Sequence, residues 1–139
     1  MDDSPLAKFL AAVDTLDHDA VIAQFAPDAR LLTADGRHAK GINGVRELMS
    51  EFLGELRTTT HRITAQWHQD NVWIAEVDAT YELTDWMETG TLPRAFVMRA
   101  GSGGQVADLR VYGAHERRLS DHRTGEEGMW VGERWIPPL

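Results

Sequence analysis

The chain has no cysteine. That absence excludes disulfides, thiolate zinc sites, iron–sulfur clusters and a cysteine nucleophile together, and it fits a reducing compartment. Basic residues are few: 14 Lys and Arg stand against 22 Asp and Glu, for a net charge of −8. Nucleic acid and anionic membranes want a basic face, so neither is an expected partner. Long apolar runs are missing as well. No stretch approaches a membrane span, and MDDSPLAKFL has no positive leader and is broken by Lys8, so a signal peptide is not expected and a cytoplasmic setting is. The histidines, at 18, 38, 61, 68, 115 and 122, have neither i, i+4 nor H-x-H spacing, so no metal site is expected. No serine stands in a nucleophile elbow, and Gly101–Gly104 lacks the following helix of a phosphate cradle. No cofactor is expected. There are no repeats, and 139 residues make one domain with a core large enough to stand without a staple.

What is present is a change of period. Ser4-Pro5 reads as a cap with proline at the first helical position, and Leu6, Phe9, Leu10 and Val13 follow helical spacing, with Asp14 at the edge of that stripe. Asp17 caps a second short helix over 18–25, ending near Pro27. Ala29 to Ala34 is a strand closed by Asp35-Gly36, and Asn43 caps a third helix with an apolar face at Val45, Leu48, Met49, Phe52, Leu53 and Leu56. From residue 58 onward the period is two. His61, Ile63, Ala65 and Trp67 fall on one face, and so do Trp73, Ala75, Val77, Ala79, Tyr81 and Leu83. Residues 84–91 connect to two more strands, 93–100 and 105–118, joined at Gly101–Gly104. Helices first and a long antiparallel sheet after make the class α+β. The tail, 119–139, lies outside the strand pattern and is expected to be an extension of the 1–118 domain.

The stretches FLAAVDTLDHDAVIAQFAPDARLLTADGR, HAKGINGVRELMSEFL and GGQVADLRVY, in that order before and within the strand series, resemble the nuclear transport factor 2-like superfamily. The resemblance covers about residues 5–117. It implies a cone of about three N-terminal helices on a curved, mostly antiparallel sheet that encloses a pocket, and a homodimer. The group includes ketosteroid isomerase, SnoaL-like polyketide cyclases, scytalone dehydratase and limonene epoxide hydrolase, so fold alone does not set the chemistry. Ketosteroid isomerase needs a carboxylate base with a Tyr and a protonated Asp, and those positions fall here on Thr33, Phe9 and Phe96. The epoxide hydrolase match, through DNVWIAEVD, keeps one Asp as Asp78, but puts Glu76 in place of the Arg and Val111 in place of the second Asp. The dehydratase-like members pair an Asp on the first helix with a His on the first long strand, and Asp14 and His61 match both. A carboxylate on one imidazole nitrogen fixes the tautomer and raises basicity at the other. The Arg those relatives carry on the last strand falls on Leu109, beside Arg110.

The resemblance therefore implies His61, Asp14 and Asp78 as catalytic candidates, and Phe9, Thr33, Glu76, Phe96, Met98, Leu109 and Val111 as pocket residues. The chain's own period sends Glu76 and Asp78 to solvent, whereas the epoxide hydrolase register sends them to the pocket. Arg94, Arg99, Arg110, Arg117 and Arg118 read most simply as a solvated or interfacial face, and the five tryptophans as core, pocket rim or dimer face. The leading expectation is cofactor-free proton abstraction on a mostly apolar, cyclic metabolite by a dehydratase, isomerase or cyclase. The alternatives are a non-catalytic ligand carrier of the same fold and an epoxide hydrolase-like enzyme.

Overall fold

A computed structural model describes residues 4–83 and 89–113, together with the backbone of 129–131 and 134–136. Ser4 caps α1 (Pro5–Asp14): its Oγ accepts from the Ala7 N–H at 3.0 Å and donates to Gln66 Oε1 at 3.0 Å, tying the helix start to the sheet. Leu6, Phe9, Leu10 and Val13 are the buried face. Asp17 caps α2 (His18–Ile22), accepting from Ala20 N–H at 3.2 Å. This helix is shorter than the expected 18–25, because β1 (Phe25–Leu32) has already begun and carries Pro27 within it. A short strand that the sequence does not announce, β2 (His38–Lys40), pairs with β1. The third helix, α3 (Ile42–Gly54), is entered through Gly41 at φ 85° instead of through Asn43. Glycine alone takes that backbone without a Cβ penalty.

The long strands follow: β3 (Leu56–Gln69), β4 (Val72–Leu83), β5 (Thr89–Ala100) and β6 (Val106–Gly113). They form a six-stranded sheet in the order β2-β1-β6-β5-β4-β3, antiparallel throughout except where β1 meets β6. The helices pack on the inner face, where Ala75, Val77, Phe96, Met98 and Leu109 join the apolar stripes of α1 and α3 in one core. The architecture is the expected α+β cone.

Two expectations are corrected. A register shift between Ile63 and Ala65 inserts an extra residue into β3. Because strand side chains alternate faces, one added residue reverses everything beyond it. His61 and Ile63 stay inside, while Trp67 is turned out and is 54% exposed. The tail also carries strands: β7 (Met129–Val131) and β8 (Arg134–Ile136) pair antiparallel with each other. Trp86, Arg117 and Arg118 lie outside the described residues. Among the described residues no helix is long and apolar enough to cross a membrane.

Candidate functional site

The last residue of α1 and the inner face of β3 meet at one side chain pair. Asp14 Oδ1 lies 2.6 Å from His61 Nδ1, and Asp14 Oδ2 accepts the backbone N–H of His61 at 3.0 Å. The carboxylate thus holds both the ring and the strand it stands on. A carboxylate can only accept, so Nδ1 carries the proton and Nε2 is left as the basic nitrogen. The imidazole side chain is 5% exposed and that of Asp14 26%, so the ring is shielded while its partner reaches the surface. Phe96 supports the ring edge-to-face, with centroids 5.9 Å apart at 81°.

His61 stands on the wall of a cavity of about 170 Å³ between the helices and the inner face of the sheet. His61 lines this cavity and Asp14 does not. The interior is largely apolar, with Phe9, Val13, Phe52 and Val111 among its lining. One end is polar. There Thr33 donates to Asp35, and Arg37 bonds both Asp35 at 2.9 Å and Glu51 at 3.1 Å. Partial burial pushes the Asp35 carboxyl up, but the Thr33 hydrogen bond and the Arg37 charge outweigh it and leave the group below its ordinary value.

Of the residues implied by the resemblance, Phe9, Thr33, His61, Phe96, Leu109 and Val111 do line this cavity. Three implied residues are elsewhere. Asp78 pairs in register with Arg62 and binds it at 2.7 Å on the outer face, and Glu76 is exposed on that face too. The chain's own period, with Ala75, Val77 and Ala79 buried, decides against the epoxide hydrolase register. Met98 is fully buried in the core and is not part of the cavity wall. Arg94, read from sequence as part of a solvated face, is a cavity residue instead, and its guanidinium donates to Tyr81 Oη at 3.3 Å. The signal was in the strand period: Arg94 is two residues before Phe96, hence on the same face. Among the described residues no group of three or more His, Asp or Glu is placed to hold a metal ion.

A helix-covered, curved sheet with an apolar cavity and a carboxylate-braced imidazole on its wall is an α+β cone of the nuclear transport factor 2-like kind. The chain belongs to the SnoaL-like domain family, whose pattern matches residues 6–118. No curated protein matches the sequence. Among solved structures, a protein of ketosteroid isomerase-like fold from Catenulispora acidiphila, in complex with trimethylamine, is similar with a TM-score of 0.71 at 15% identity, over 81% of this chain and 86% of that one. A protein provisionally named a SnoaL-like polyketide cyclase from Shewanella putrefaciens is similar with a TM-score of 0.69 at 8% identity, over 78% and 85%. An NTF2-like protein of unknown function from Exiguobacterium gives 0.66 at 13%, over 78% and 97%. Identities this low carry the fold and leave the chemistry to the site.

Proposed function

We propose that this protein is a cofactor-free acid–base enzyme, a dehydratase, isomerase or cyclase, that removes a proton from a small, mostly apolar cyclic metabolite. His61 is the base through Nε2, and Asp14 is its positioning residue. The observation that carries the reading is the 2.6 Å contact of Asp14 with Nδ1 of a ring that stands on an apolar cavity wall. A neutral imidazole with its tautomer fixed is matched to proton transfer near neutral pH. The Catenulispora relative's complex with a small organic molecule supports reading the cavity as a ligand site. The test is solvent exchange: in deuterium oxide, the protein should speed deuterium entry at the carbon beside the carbonyl of monocyclic ketones, followed by mass spectrometry. His61→Gln should lower that rate by about a hundredfold or more. Equal rates for wild type and variant would leave a ligand carrier as the correct reading.

We also infer that a second copy of the chain covers the outer face of the sheet. Trp67 and Ile74 are register partners there, 54% and 39% exposed, and Tyr112 on the same face is 43% exposed. The Arg62–Asp78 and Arg110–Asp108 ion pairs lie on the same face, each closed within the chain, so they leave no unpaired charge against a second copy.

A further inference from the structure

We infer that the cavity takes a carboxylate carried on a single apolar ring, with Arg94 as its anchor. The inference rests on reading this cavity as the substrate site, but not on His61 acting as a base.

Three observations lead to it. The first is charge. Arg94 is partly buried on the cavity wall, and its one hydrogen bond among the described residues goes to a neutral phenol, Tyr81. A guanidinium has five N–H donors in a fork that fits a carboxylate at two points, so most of its capacity is unspent. The other arginine of the lining is different: Arg37 is already engaged by two carboxylates, those of Asp35 and Glu51. The acidic lining residues do not answer Arg94 either. Asp35 is held by Thr33 and Arg37, and Glu55 is at the exposed rim, where water screens it.

The second observation is room. Val77 is the cross-strand neighbour of Arg94 on β4, and Gly113 is its neighbour on β6. Gly113 puts no side chain beside the guanidinium stem. Tyr81, 3% exposed, fixes the guanidinium from the other side. The fork is therefore both held and open.

The third is size. A cavity of about 170 Å³ is close to the roughly 150 Å³ of an apolar site known to take one benzene ring. Arg94 and Phe96 are alternate residues of one strand, so their Cα atoms are about 7 Å apart. The His61 ring meets Phe96 edge-to-face, 5.9 Å between centroids, on the same cavity wall. A ligand whose carboxylate sits on Arg94 would set a single ring among the apolar lining, on a wall that carries both Phe96 and His61.

The test is binding by calorimetry, without turnover, using benzoate, cyclohexanecarboxylate, benzamide and trimethylamine. The two carboxylates should bind at least about tenfold tighter than benzamide, and trimethylamine should not compete with them. Arg94→Gln should remove the preference for carboxylate over amide, and Arg94→Lys should keep part of it, since a point charge cannot make the two-point contact. On the wild-type protein, the Arg94 Nε–H resonance should move on addition of benzoate, a readout that needs no variant to fold. Benzamide binding as tightly as benzoate, a preference that survives Arg94→Gln, or no binding by either carboxylate would overturn the inference. Loss of proton exchange with the carboxylate preference intact would overturn the base reading and leave this one standing.

Discussion

At the residue scale, Asp14 does two jobs with two oxygens, and they can be separated. Asp14→Asn preserves the shape, and its amide oxygen can still accept the His61 backbone N–H. Its NH₂ group, however, would face Nδ1 and donate, which reverses the tautomer and protonates Nε2. Exchange activity should therefore fall as far as in His61→Gln, by about a hundredfold or more, while the melting temperature changes little. An Asp14→Asn protein with near wild-type exchange would remove Asp14 from the mechanism. Thr59 makes the opposite case. Its hydroxyl, on the strand that carries His61, is buried with no hydrogen-bond partner among the described residues. Thr59→Val keeps the β-branched shape and deletes the orphan group, so it should stabilise the fold by about 1 kcal/mol in denaturant titration. Asp35 gives a pH signature. Its carboxyl is lowered in the folded state, against burial, by Thr33 and Arg37. Its contribution is therefore present above the ordinary carboxylate range and lost as pH falls through the lowered value. Thr33→Val should shift the acid-unfolding midpoint to higher pH.

At the element scale, the strands show what a period can and cannot tell. β4 alternates unbroken from Ala75 to Leu83 and so puts Asp78 and Glu76 outside, against the register by which the resemblance makes them a catalytic and a pocket candidate. β3 is half read. His61 falls on the inner face, but the extra residue near Thr64 reverses the phase, and nothing in the local sequence marks a bulge there. The period therefore puts Trp67 on the inner face, whereas the bulge turns it out. The short β2 and the early start of β5 are held by pairing with neighbours, and a single strand's pattern carries no such information. Asp14 and His61 are legible as a pair through the resemblance, while the period alone gives only the helix edge for one and the inner face for the other. Arg94 was legible in principle but was grouped with exposed arginines on neighbouring strands. Its position depends on one backbone detail, Gly113 at φ 118°, where a Cβ would meet the Pro93 carbonyl oxygen at 2.8 Å and Arg94 Cα at 3.2 Å. Neither atom can move without bending β5. Gly113→Ala should destabilise the fold by about 2 kcal/mol or more and loosen benzoate binding in the molecules that remain folded. An alanine variant with wild-type stability would mean that the β5–β6 edge is free to shift.

At the scale of the whole molecule, the sheet has two unlike faces. The inner one is covered by α1 and α3 and holds the cavity. The outer one presents Trp67, Ile74 and Tyr112 to solvent. Large apolar side chains grouped on one face of a sheet cost free energy in water at roughly 25 cal/mol per Å², and a symmetric partner is the simplest cover for them. The cover also bears on the site. β3 carries His61 inward and Trp67 outward on either side of the bulge, so a second copy on the outer face would steady the strand that carries the proposed base. Sedimentation velocity at tens of micromolar should give a mass twice the chain's 15.6 kDa. Trp67→Glu puts a charge on the exposed apolar face and should return the monomer mass, with weaker proton exchange if the second copy supports β3. A wild-type protein that sediments as a monomer would overturn the dimer. A monomeric Trp67→Glu protein that exchanges protons at the wild-type rate would show that one chain holds the complete site.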